Sequence, residues 1–125
     1  MFELCVDSSF SAGHALRGYQ GKCENPHGHN YKVRVTLAGD TLNDIGLLVD
    51  FKDLKSAMNQ ATDQLDHQFL NEIEPFLKEN PSAENIARHL YRSINTRLMI
   101  EANGSIRIKK VKVWETASCA ATYFE

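Results

Sequence analysis

His27-Gly-His29 opens a run in which Tyr31, Val33, Val35 and Leu37 alternate with Asn30, Lys32, Arg34 and Thr36. No other stretch constrains the chain as much. A period of two is that of a β-strand with one buried face, and residues i and i+2 on it point the same way, about 6.6 Å apart. Both imidazoles can therefore reach one metal ion. Cys23 stands four residues before His27, on the loop that enters the strand. A catalytic zinc site uses three protein ligands and keeps a position open. Two histidines leave one ligand to be found.

The N-terminal stretch supplies it. Phe2, Leu4, Val6, Ser8, Phe10, Ala12 and His14 share one parity, which predicts a long strand over 2–14. If this strand pairs antiparallel with the one that starts at His27, the end of the first lies beside the start of the second. His14 then meets His27 and His29.

Farther along, Asp50 reads as an N-cap, and Phe51, Leu54, Met58, Ala61, Leu65 and Phe69 recur at helical spacing, with Asp66-His67 at the end of that helix. Ser82 caps a second helix, whose apolar face is Ala83, Ile86, Ala87, Leu90, Tyr91, Ile94 and Leu98. Asn103-Gly104 is a turn signal before a strand over 105–115. Its apolar parity changes from Ile106 and Ile108 to Val111 and Val113, which predicts a β-bulge at Lys109-Lys110. A short strand, 120–124, ends the chain. The order ββααββ predicts an α+β fold: a four-stranded antiparallel sheet with two helices on one face. Two open sheet edges favour pairing with further copies, hence a homo-oligomer.

With 125 residues, the chain is expected to be a single domain, 1–125. A net charge of -2 offers no basic field for nucleic acid or an anionic membrane, and no apolar run is long enough to span a bilayer. The N-terminus has no signal-peptide pattern. Three cysteines without framework spacing read as reduced thiols of a cytoplasmic protein.

Taken together, Phe10-Ser-Ala-Gly-His14, Cys23-x3-His27-Gly-His29, Leu48-Val-Asp50-Phe51, Leu65-Asp-His67 and Glu115-Thr116 resemble the 6-pyruvoyltetrahydropterin synthase family, across nearly the whole chain. The Cys-to-His spacing is similar to its QueD-type branch, the 6-carboxy-5,6,7,8-tetrahydropterin synthases. The resemblance implies a tunnelling fold, in which three sheets close into a barrel and two rings commonly stack into a hexamer with sites at subunit interfaces. It implies zinc held by His14, His27 and His29. It further implies conversion of 7,8-dihydroneopterin triphosphate to 6-carboxytetrahydropterin, acetaldehyde and triphosphate, a step toward queuosine.

Under that resemblance Cys23 is the candidate general base, because a nearby metal lowers a thiol's pKa. Asp66 and His67 are the candidate proton relay. Since sequence neighbours on a helix do not face each other, their partners are expected across a subunit boundary. Glu115 is expected to anchor the pterin's amino group and ring N–H and to share in the relay, with Thr116 contacting the same ring. Glu24 completes Glu-x-x-His-Gly-His, a pattern of relatives that cleave the side chain toward folate; here it reads as a loop carboxylate facing solvent. His89 reads as a surface residue, and Cys5 and Cys119 as structural. Arg17 and Lys22 lie near the motif. The competing readings are pyruvoyl or folate-linked chemistry on the same site, or a zinc-binding module without chemistry.

Overall fold

The computed structural model describes residues 1–98 and 105–125, so the Asn103-Gly104 turn lies outside the described residues. Strands β1 (Phe2–His14) and β2 (His27–Gly39) pair antiparallel along their whole length, from Phe2 opposite Gly39 to His14 opposite His27. Their alternation does what it predicts: Val6, Phe10, Ala12 and His14 are buried from β1, and Tyr31, Val33, Val35 and Leu37 from β2. Strands β3 (Ile106–Thr116) and β4 (Cys119–Tyr123) continue the sheet in the order β1-β2-β3-β4, all antiparallel.

The bulge is where the parity change put it. Lys110 is opposite Thr36 while Ile108 is opposite Leu37, so Lys109 is the extra residue. Its consequence is positional. Val111 and Val113 turn to the core, Glu115 follows on their face, and Trp114 points to the other side, opposite Lys32. There the indole is ringed by Lys112 Nζ at 4.7 Å, Lys32 Nζ at 4.8 Å and Arg34 Cζ at 5.3 Å from its centroid. Trp114 is thus half-exposed.

Helix α1 (Phe51–Asp63) starts at Asp50, whose carboxylate accepts the Lys52 N–H at 2.8 Å. It buries Leu54, Ala57, Met58 and Ala61. Phe51 departs from the expected face: at the first helical position it is 53% exposed. The helix also ends earlier than its apolar spacing suggests. Leu65 donates its N–H back to Thr62 O at 2.9 Å, closing a tight turn, and His67 takes the left-handed conformation with φ 59°. Leu65 stays buried in that turn, but Asp66, His67 and Phe69 lie beyond the helix.

Helix α2 (Ala83–Leu98) is capped by Ser82, whose Oγ accepts the Asn85 N–H at 3.1 Å, and it buries Ala83, Ile86, Ala87, Leu90 and Ile94. The buried faces of both helices and of the sheet form one apolar cluster. Each fully buried Leu, Ile or Val in it stabilises the fold by about 1.5–3 kcal/mol. His89, expected at the surface, is half-buried with its ring 5.5 Å from that of Phe76; burial lowers its pKa. Among the described residues no helix is long and apolar enough to cross a membrane.

Candidate functional site

The antiparallel register brings the three histidines together at one end of the β1–β2 ribbon. His14 is opposite His27, and His29 is opposite Ala12, one strand repeat away on the same side. The ring centroids lie 4.6 Å (His14–His27), 4.8 Å (His27–His29) and 5.1 Å (His14–His29) apart. Gly13 lets the segment after α1 close over this end. A Cβ there would lie 3.2 Å from the Phe69 ring, while the Gly13 N–H donates to Gln68 O at 3.0 Å.

Backbone carbonyls decide which ring nitrogens face inward. His14 Nδ1 lies 2.6 Å from Pro81 O, and His27 Nδ1 lies 2.7 Å from Asn25 O. A carbonyl can only accept, so both Nδ1 atoms carry the proton, and in the neutral rings both Nε2 atoms present lone pairs. Those two Nε2 atoms face each other at 3.0 Å. Facing lone pairs repel, so the contact is stable only with a cation or proton between them. Tetrahedral bonds of about 2.0–2.1 Å to a shared ion would set two such nitrogens about 3.3 Å apart.

The third imidazole tells the same story. His29 Nε2 is buried and without a hydrogen-bond partner. Glu115 Oε1 is 3.0 Å from it, yet lies off the direction of an N–H. The ligating atoms of His14, His27, His29 and Glu115 all fall within 4.8 Å of one another, so the four residues can hold a metal ion. His14 is fully buried. Its pKa is lowered by burial, against the Pro81 hydrogen bond that raises it, so the neutral ligand form is favoured. Tyr31 lies beneath, its hydroxyl 3.2 Å from His14 Nδ1 and its own pKa raised by burial.

Asp66 and His67 form a second unit beside this one. Asp66 Oδ1 accepts the Ser11 N–H at 2.9 Å and Oδ2 lies 2.9 Å from His67 Nδ1, while the His67 N–H donates to Ser11 O at 2.6 Å. The Ser11 hydrogen bond and His67 hold the Asp66 carboxyl below its usual range. The expectation that these neighbours cannot face each other is overturned. It assumed a helix, and the left-handed turn at His67 folds its ring back onto Asp66. The His67 side chain is 82% exposed and, with His29, Ser11 and Asn30, lines an open cleft of about 410 Å³.

Cys23 sits half-buried in a single 3-10 turn, Lys22–Glu24, its carbonyl accepting the Leu16 N–H at 2.9 Å. Among the described residues it belongs to neither the four-residue cluster nor the Asp66–His67 pair. Glu24 is exposed on the same turn. Glu115 and Thr116 diverge: Thr116 lines a different cleft of about 370 Å³ with Asn30, Lys32 and Trp114, and Glu115 is not part of it. Reading the sequence alone missed the Pro81 and Asn25 carbonyls that orient the rings. Backbone acceptors carry no residue signature, so only the fold reveals them.

A profile of the 6-pyruvoyl tetrahydropterin synthase family matches residues 3–125. The 6-carboxy-5,6,7,8-tetrahydropterin synthase of Rickettsia bellii is 32% identical, over 88% of this chain and 91% of its own length. The enzyme of the same name from Aquifex aeolicus is 31% identical, over 99% and 98%. Among solved structures, 6-pyruvoyl tetrahydropterin synthase of Caenorhabditis elegans superposes with a TM-score of 0.86 at 29% identity, covering 99% of this chain and 95% of that one. Fold, motif order and these similarities agree, and the chain belongs to the 6-pyruvoyl tetrahydropterin synthase family.

Proposed function

We propose that this chain is a zinc-dependent 6-carboxy-5,6,7,8-tetrahydropterin synthase, acting on 7,8-dihydroneopterin triphosphate in the cytoplasm on the route to queuosine. The observation that carries the reading is the set of inward Nε2 atoms on His14, His27 and His29, two of them fixed as lone pairs by Pro81 and Asn25. The names of the relatives from Rickettsia bellii and Aquifex aeolicus choose the reaction. A nitrogen donor set with an open position suits zinc, which when bound would polarise the hydroxyls of the substrate's side chain.

The chain's own residues do the rest. Glu115 binds the 2-amino group and ring N–H of the pterin, placing the side chain over the histidines, and Thr116 adds a contact to the ring. Cys23 takes a proton from that side chain as general base. Asp66 fixes the His67 ring, which passes the proton on in the cleft it shares with His29. Within one chain Cys23 and His67 are not hydrogen-bonded, and Glu115 and Thr116 line different surfaces. This supports a homo-oligomer, a trimer or hexamer, in which neighbouring copies complete each site.

One observation favours a second reading. The Caenorhabditis elegans structure, at 29% identity, is a pyruvoyl synthase. Incubating the zinc-loaded protein with 7,8-dihydroneopterin triphosphate and identifying products by mass spectrometry separates the two. Carboxytetrahydropterin with acetaldehyde is expected. A pyruvoyl pterin moves the function, and a hydroxymethyl pterin turns attention to Glu24.

A further inference from the structure

We propose that Asn71 and Asn80, latched by Arg17, are positioning residues of the metal centre, setting the Pro81 carbonyl that orients His14. The inference rests on the reading of that centre as a metal site.

Beyond His14 the chain leaves the sheet, and the outward backbone groups of Ala15 and Arg17 need partners. Two asparagine side chains supply them. Asn71 Oδ1 accepts the Ala15 N–H at 2.9 Å and its Nδ2 donates to Ala15 O at 2.8 Å. Asn80 Oδ1 accepts the Arg17 N–H at 2.9 Å and its Nδ2 donates to Arg17 O at 2.9 Å. Each amide stands in for one rung of an antiparallel ladder. Among short side chains only asparagine carries an acceptor and a donor on separate atoms, so it can meet an N–H and a C=O of one residue as a peptide unit does; aspartate keeps the acceptor and loses the donor.

The Arg17 guanidinium closes the clamp. It donates to Phe76 O at 2.7 Å, Asn71 O at 3.2 Å and Glu79 O at 3.3 Å. Asn80 is also held from α2, its carbonyl accepting Asn85 Nδ2 at 2.8 Å. The next residue is Pro81, whose carbonyl takes the His14 Nδ1 proton at 2.6 Å. Residues 71–81 are thus registered against 14–17 one step from the acceptor that sets the tautomer and tilt of a ligand. A direct hydrogen-bond partner of a ligating histidine, the place Pro81 O holds, is usually worth about 10–100-fold in metal affinity, and Asn80 acts on it from one residue away.

The test compares zinc affinity by chelator competition in the full chain with the absorption spectrum of its cobalt-substituted form. Asn80→Ala is expected to weaken zinc by up to about 10-fold, at or below the bottom of the range usual for a direct partner, and to alter the cobalt bands, while far-UV circular dichroism of the apo-protein stays unchanged. Asn80→Asp, which retains one of the two hydrogen bonds, falls between wild type and Asn80→Ala. It carries the test if Asn80→Ala does not fold. Asn59→Ala removes the acceptor of the Ser8 hydroxyl on α1, away from this segment, and should leave affinity unchanged. Unchanged zinc affinity in both Asn80 variants overturns the proposal, as does an equal loss in Asn59→Ala, which would make the effect one of general stability. A wild-type protein that binds no zinc overturns the metal reading itself, and this is seen before any variant is made.

Discussion

His14 and His67 sit at the two sides of one strand end and are built in opposite ways. His14 is fully buried, its Nδ1 bound to a carbonyl, its Nε2 aimed at another imidazole, its pKa pushed down by burial. His67 is held in a left-handed turn with its ring in solvent and its Nδ1 on a carboxylate. The first arrangement withholds protons and offers a lone pair, as a metal ligand must. The second keeps the ring in contact with water and with the cleft. What its Nδ1 touches, a carbonyl or a carboxylate, thus divides one residue type into two environments, and the proposed roles of ligand and relay follow that division.

Substitutions should split along that line. His27→Ala removes one of three nitrogen donors, and stoichiometric metal, read by elemental analysis, should be lost together with turnover; full metal content in this variant would remove the basis for the site. His67→Ala should keep its metal and lower kcat about 10²–10⁴-fold, the usual size of a general acid–base contribution. If it lost metal as well, the two histidines would not be separate devices. Glu115→Gln is the intermediate case, because its carboxylate touches His29 yet is assigned to the pterin. A hydrogen bond to a charged group is worth about 1.5–3 kcal/mol, so KM should rise about 10–100-fold with metal retained. A change confined to kcat would instead assign Glu115 to the chemistry.

How legible each half was follows from its geometry. The three-histidine cluster was readable because it depends only on period two, visible in Phe2–His14 and His27–Leu37, and on an antiparallel pairing of the two strands, which entered as a condition and which the register supplies. The bulge at Lys109 was readable for the same reason, as a break in parity. The Asp66–His67 contact was not, since it depends on a positive φ at a non-glycine residue, for which the sequence has no code. Nor could apolar spacing show that α1 stops at Asp63, because Leu65 is buried whether or not the helix continues. Cys23 remains the residue least explained by a single chain. Its spacing marks it, and its described hydrogen bond is made by its backbone carbonyl to the Leu16 N–H.

His89 offers the smallest and cleanest contrast with the three clustered histidines. Its surroundings are the edge of Phe76 and, at longer range, Glu79 and Arg97. Burial lowers its pKa, Glu79 opposes the shift and Arg97 adds to it, so the folded state holds the ring neutral at a pH where the unfolded chain, with an ordinary value near 6.5, begins to take up a proton. Below that pH the unfolded state binds more protons, and stability falls as pH drops toward the folded value. Above it the contribution is complete. His89→Phe removes the titrating group while keeping a ring against Phe76. Urea midpoints of the metal-free protein should therefore fall less steeply in the variant between pH 6.5 and 5, and the two curves should run parallel above pH 7. Parallel curves on the acid side as well would mean that His89 reaches water in solution, and that its packing on Phe76 is looser than the 5.5 Å ring separation implies.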